Sequence, residues 1–134
     1  MFGSLDISAS GLVAQRTRLE VTAANLANKD AIYDAKGNYS PFRRRIAILS
    51  AGDPDGGNAL GAHVREIKLD SNPFRMVHDP DHPAADKDGY VKYPNIDSAN
   101  EMVNALDASR AYEANIAAAE ATKTMIQSSL RLLA

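Results

Sequence analysis

Residues 98–134 read SANEMVNALDASRAYEANIAAAEATKTMIQSSLRLLA, and neither Gly nor Pro occurs from Asn95 to the last residue. Met102, Ala105, Ser109, Tyr112, Ile116, Ala119, Lys123, Ile126, Leu130 and Leu133 step by alternating threes and fours, with Ser109 and Lys123 as the breaks. That alternation keeps one narrow stripe on one side of a helix, which is the seam of a coiled coil. Ser98-Ala99-Asn100-Glu101 fits a capping box, in which Ser98 and Glu101 each accept from the other's backbone N–H. The helix is therefore expected to open near Ser98 and to run for more than about 50 Å at roughly 1.5 Å per residue.

The other end of the chain carries the same spacing. Leu5, Ala9, Leu12, Leu19, Ala23 and Leu26 step by fours and threes, with Arg16 as the one break. A helix is expected from Ser4 or Asp6, either of which is a good cap, to about Asn28, a length of about 35 Å. Gly11 lies inside it and costs roughly 1 kcal/mol relative to Ala. Two explanations fit: close approach of another backbone, or simple tolerance. Each stripe needs a partner, and the first candidate is the opposite end of the same chain.

Between Lys29 and Tyr93 the helical spacing stops, and five of the six prolines fall there. Phe42–Leu49 and Ala62–Leu69 alternate like strands, joined by a link containing Asp53-Pro54-Asp55-Gly56-Gly57, which is turn chemistry. A two-stranded hairpin is expected, and Tyr90–Tyr93 adds a short strand. The fold class is mainly α: terminal helices pairing as a coiled coil, with a small β-hairpin and loop insert between them. The units are 1–30, the N-terminal helix; 31–94, the insert; and 95–134, the C-terminal helix.

Bulk properties narrow the function. Among 134 residues the apolar fraction is 45%, yet there are three Phe, five Tyr and no Trp. Alanine buries little area, so seam burial at about 25 cal/mol per Å² yields less than a leucine-rich seam would. A marginal monomer completed by neighbours is the expectation. The net charge of −2 gives no general pull toward nucleic acid or an anionic membrane. Arg43-Arg44-Arg45 is the only basic cluster and has no interleaved aromatics; a strand would split it, Arg43 and Arg45 opposite Arg44, in a subunit contact or a solvated strand. The absence of Cys excludes disulfides, thiol catalysis and Cys-rich zinc sites. Met1–Ser10 lacks a basic segment followed by an apolar run, so no cleavable secretory signal is expected, and no stretch of about 20 apolar residues predicts a membrane span.

Candidate chemistry is sparse. His78-Asp79-Pro80-Asp81-His82 places two imidazoles four apart, but Pro80 and Pro83 forbid the helix on which such ligands converge, so a solvated turn is expected. Asp53-Pro54-Asp55-Gly56 and Asp86-Lys87-Asp88-Gly89 resemble calcium loops weakly and lack the Glu that would complete them. No nucleophile elbow or phosphate loop occurs. No catalytic, cofactor-binding or metal residue is expected, and no cofactor.

Ser8-Ala9-Ser10-Gly11-Leu12-Val13-Ala14-Gln15-Arg16, followed by Ala24-Asn25-Leu26-Ala27-Asn28, resembles the N-terminal signature of bacterial flagellar axial proteins. Gly89-Tyr90-Val91-Lys92-Tyr93-Pro94-Asn95-Ile96-Asp97, with Glu101-Met102-Val103-Asn104 and Ser109-Arg110-Ala111-Tyr112-Glu113-Ala114-Asn115, resembles their C-terminal signature. The short length and Pro41-Phe42-Arg43-Arg44 further resemble the proximal-rod family of the basal body, the FlgC type. Where many axial proteins follow Asn-x-Ala-Asn with Thr and Gly, this chain continues Lys29-Asp30-Ala31-Ile32-Tyr33-Asp34.

The resemblance implies a structural subunit that leaves through the flagellar type III export apparatus without a cleaved signal. It implies assembly in the periplasm with copies of itself and other rod subunits, as a helical tube that transmits torque from motor to hook. Nucleic acid and direct membrane insertion are not expected. Subunit packing is then expected at Leu5, Leu12, Leu19, Asn25, Leu26, Asn28, Met102, Leu106, Tyr112, Asn115, Ile116, Ile126, Leu130 and Leu133, with the asparagines fixing helix register. Two alternatives stand: another flagellar axial subunit, and a soluble coiled-coil adaptor that binds partner helices without polymerising.

Overall fold

The computed structural model describes residues 2–55 and 59–134. Helix α1 spans Phe2–Ala27 and helix α2 spans Ser98–Leu133. Between them lie β1 (Arg45–Ala51), β2 (Ala62–Leu69), β3 (Phe74–His78) and β4 (Tyr90–Pro94). Two terminal helices around a small antiparallel insert are the architecture the sequence implies.

The helix starts differ from expectation. Helix α1 opens at Phe2, ahead of both Ser4 and Asp6. The cap of α2 is Asp97, not Ser98: Asp97 is extended, and its carboxylate accepts from the Ala99 N–H at 2.9 Å and from Asn100 Nδ2 at 3.2 Å. The capping box does not form because the Glu101 carboxylate turns into the molecule, where Arg44 and Asn25 take it.

The helices run antiparallel. Asn25 bonds Glu101, Arg18 pairs with Asp107, and Gly11 faces Asn115, so one register holds along the whole contact. A Cβ built on Gly11 would stand 2.8 Å from the Asn115 amide. Close approach is therefore what Gly11 permits, and the neighbour is a side chain rather than a backbone.

Strands β1 and β2 form the expected hairpin, with Arg45 opposite Leu69 and a bulge between Ile48 and Leu49. Strand β1 begins at Arg45 rather than Phe42, because the Phe42 N–H bonds the Ala31 carbonyl and that segment lies along the loop after α1. Within the expected turn the Asp55 N–H bonds Asp53 Oδ1 at 3.0 Å; Gly56 and Gly57 lie outside the described residues. Ser10 ties the hairpin to α1, accepting from the Ala62 N–H at 3.1 Å and donating to the Ile7 carbonyl at 2.7 Å. Gly61 makes room for this: its φ is +94°, and a Cβ there would sit 2.7 Å from Ser10 Oγ.

Strand β4 extends the expected Tyr90–Tyr93 by one residue and pairs with β3, a strand the sequence did not announce. The Tyr39 hydroxyl accepts from the Lys92 N–H at 2.8 Å, holding β4 to the loop after α1. Among the described residues the buried apolar side chains are Ala14, Val21, Ile32, Val91, Ile96 and Ala108, none of them aromatic. Total accessible surface is 8981 Å². A compact monomer of 14.4 kDa would expose about 6,800 Å², leaving an excess of roughly 2,000 Å².

Candidate assembly surface and the network beneath it

The intrachain seam has the expected period; on α1 its phase is shifted by one residue, while on α2 Ala105, Tyr112, Ala119 and Ile126 of the expected stripe lie in it. On α2 Glu101, Ala105, Ala108, Tyr112, Asn115, Ala119, Thr122 and Ile126 are covered in a 4-3 alternation, and Asn104, Ser109, Ala111 and Ser129 beside them are half-buried too. On α1 they are Ser8, Gly11, Ala14, Val21, Thr22 and Asn25. The leucine stripe of α1 lies one residue further on, and Ala9 and Ala23, expected in the seam, are exposed. One residue is about 100° of helix rotation. Small and polar side chains thus make up most of the contact between α1 and α2, with Tyr112 a large exception, while the leucines of α1 and Met102, Leu106 and Ile116 of α2 turn outward. None of the buried side-chain nitrogens and oxygens among the described residues lacks a partner.

Because both helices are right-handed and antiparallel, positions one residue past the seam fall on the same flank of the pair. That flank carries Leu5, Leu12, Leu19 and Leu26 of α1, all half-buried, beside Met102, Leu106 and Ile116 of α2, all exposed. Ser10, Val21 and Asn104 mark the opposite flank, where the hairpin sits. Leu130 and Leu133, further along α2, are exposed, and Leu132 at 88% is the most open large apolar residue. This gathering of apolar residues makes the flank the candidate interaction surface.

Beneath it a polar network fixes how the insert meets the helices. Arg44 Nε donates to Glu101 Oε1, and Arg44 Nη1 donates to Asp70 Oδ2 at 3.2 Å. Glu101 is 1% exposed, so its charge requires this partner. Burial works against the Arg44 cation, but the hydrogen bonds and attraction of Glu101 and Asp70 outweigh it and raise the pKa. Asp70 is held below the usual carboxylate range, first by the N–H of Asn72 and then, against desolvation, by Arg44. Asn25 is also 1% exposed; its Nδ2 donates to the Arg45 carbonyl at 2.8 Å and its Oδ1 accepts from the Arg45 N–H at 3.0 Å.

Residues 5–30 match the family described as "Flagella basal body rod protein", and residues 87–132 match "Flagellar basal body rod FlgEFG protein C-terminal". These ranges hold nearly all of both helices. The flagellar basal-body rod protein FlgC of Bacillus subtilis is 39% identical over 98% of this chain and 97% of the relative. The FlgC protein of Escherichia coli O6:H1 is 38% identical over 95% and 93%, and that of Borreliella burgdorferi is 35% identical over 99% and 97%. This chain belongs to the FlgC family of flagellar basal-body rod proteins. It is a structural subunit of the basal-body rod.

In this FlgC-family chain the fourteen residues expected in subunit packing divide by position. Asn25 is consumed inside the molecule, and Asn28 and Asn115 donate to the Ala24 and Ala111 carbonyls at 2.8 and 2.9 Å. Tyr112 and Ile126 are half-buried on the seam side of α2. The four leucines of α1 and Met102, Leu106, Ile116, Leu130 and Leu133 keep apolar surface open. Arg44, Asp70 and Glu101 were not expected to act together. The arginine run and the Glu of the capping box were the only signals, and 57 positions separate Arg44 from Glu101. His78 stacks edge-on against Tyr90 at 5.0 Å and His82 Nδ1 accepts from the Ala84 N–H at 3.0 Å. Among the described residues no group of three or more His, Cys, Asp or Glu is placed to hold a metal, and no helix is long and apolar enough to cross a membrane.

Proposed function

We propose that this rod subunit assembles through the leucine-bearing flank of its paired helices, packing on copies of itself and other rod subunits as a helical tube that carries torque from motor to hook. The observation that carries the reading is the rotation of the seam. Mostly small and polar residues fill the intrachain contact, so most of the large apolar side chains of both helices are left for neighbours. The surface excess of roughly 2,000 Å² exceeds what one partner loses in a standard interface, about 800 Å². Several neighbours are therefore accommodated.

In the assembled state the terminal helices act as a coiled coil, which the 4-3 spacing of covered positions on α2 supports. Residues 1–30 and 95–134 form the helical core of the rod, and 31–94 form the insert that decorates it. The role is mechanical and not enzymatic. Export proceeds through the flagellar export apparatus, and assembly takes place in the periplasm. Contacts between unlike patches that do not close into a ring build an open helix.

The test is to mix the purified chain with other rod subunits and examine the product by electron microscopy. Ordered helical assemblies are expected. A discrete dimer or trimer under all conditions would replace the rod reading with that of a coiled-coil adaptor.

A further inference from the structure

Arg43 and Arg45 flank a groove of about 450 Å³ whose apolar wall includes Tyr33, Pro41, Phe42 and Leu69; the carboxylate in its lining, Asp34, accepts from the Lys36 and Asn38 N–H groups at 2.9 Å, which leaves the two arginines in excess. Arg45 lies over the Phe42 ring at 5.5 Å. Arg43 is exposed, and neither arginine has an ion-pair partner among the described residues. On the uncovered flank of α2 two carboxylates bracket one apolar residue, with Lys123 one step beyond them. Ile116 sits between Glu113, three residues before it, and Glu120, four after it, so all three share one stripe. Both glutamates are exposed and without an ion pair among the described residues.

The two patches cannot meet within one molecule. Asn28, at the groove, lies just beyond the end of α1 that faces Glu101, whereas Ile116 lies beside Gly11. That separation is about 25 Å along the helix axis. An acidic helix face with a central apolar anchor and a basic, aromatic-walled groove on the same chain are complementary in both charge and polarity.

We propose that the groove receives the Glu113–Ile116–Glu120 face of α2 from a second copy of this chain, with Ile116 entering the apolar wall and the two carboxylates meeting Arg43 and Arg45. The inference rests on the assembly reading above and names one of its contacts. The patches differ, so each copy offers a groove to one neighbour and a helix face to another, and the contact propagates.

Charge reversal and directed crosslinking test it on the full chain. The doubly substituted Arg43→Glu/Arg45→Glu chain and the Glu113→Lys/Glu120→Lys chain are each expected to assemble about tenfold more slowly at low salt. A chain carrying all four substitutions is expected to recover most of that loss. The sequence holds no Cys, so an Ile116→Cys copy mixed with an Ala35→Cys copy reads the contact directly, and a mixed disulfide dimer is expected. Where a charge variant loses its monomer melting transition, the crosslink decides. The proposal is overturned if the reversed chains assemble at the unmodified rate, if polymers form without the mixed crosslink, or if Ala35→Cys crosslinks only to a different rod subunit. If the unmodified chain forms no polymer even with other rod subunits, the assembly reading itself fails, and this contact with it.

Discussion

Asn25 holds Arg45 by both of that residue's backbone polar groups: its amide donates to the Arg45 carbonyl and accepts from the Arg45 N–H. A single buried side chain on α1 thereby stands in for a strand partner at the first residue of β1. Asn25→Ala orphans a backbone donor and acceptor together, and should cost about 2–4 kcal/mol of stability. Asn25→Asp should lose a similar amount, because a carboxylate oxygen would face the Arg45 carbonyl and Glu101. Urea unfolding measures both, and a loss under about 0.5 kcal/mol would show that the hold is dispensable.

Arg44→Met strands the Glu101 carboxylate in a buried site and should destabilise the fold by about 3 kcal/mol or more. Adding Glu101→Gln removes the orphaned charge, so the double variant should be more stable than Arg44→Met alone. Thermal melts of the three chains decide it; equal melting for single and double variants would contradict the pairing.

Gly11→Ala sets two effects against each other. Alanine favours the helix by about 1 kcal/mol, while its Cβ meets the Asn115 amide, an overpacking cost of about 1–3 kcal/mol. The net should be mildly destabilising. In an Asn115→Ala background the clash is gone, and the same substitution should become neutral or stabilising. A double-mutant cycle with no coupling would show that the two residues do not touch.

The Asp70 carboxylate titrates below its ordinary range in the folded chain. Its contribution is therefore complete above the unfolded value of about 3.9 and is lost as pH falls through the folded value. Urea midpoints should drop as pH falls below about 5, and Asp70→Asn should be less stable at neutral pH with a shallower acid limb. A variant that keeps the full slope would assign that limb to other carboxylates.

Leu106→Glu separates fold from assembly. Leu106 is 53% exposed, so monomer stability should change by no more than about 0.5 kcal/mol. A charge on the apolar flank should nonetheless exclude the subunit from the rod. Truncation from Leu130 onward should do the same. Normal motility in cells whose only copy carries either change would remove that flank from the contact.

Both helices were legible because the 3-4 alternation in each and the unbroken run after Asn95 leave no other element. The buried side of α1 was not, and that of α2 only in part: Ala105, Tyr112, Ala119 and Ile126 of its stripe are covered. Leu5, Leu12, Leu19 and Leu26 are the largest periodic residues of α1, and size pointed to them as the seam. What sets the rotation is the requirement that Gly11 admit Asn115, that Ser10 reach Ala62, and that Asn25 reach Arg45. Those partners lie from 20 to more than 100 positions away along the sequence, beyond any local pattern. The hairpin was legible from its alternation and turn residues. Strand β3 was not, because Phe74-Arg75-Met76-Val77-His78 is short, does not alternate, and sits between Pro73 and Asp79-Pro80. Asp97 outcompeted Ser98 as cap because Glu101, half of the expected box, was needed as the counter-ion of Arg44.

The notch at Gly11 also governs how the helix pair answers a longitudinal push. The nearest other glycine on α1 is Gly3, eight residues or about 12 Å away. Any smaller slip of one helix along the other would drive the Asn115 amide against a Cβ. The two helices are keyed against sliding, and shear passes from one to the other by steric stop instead of by apolar adhesion alone.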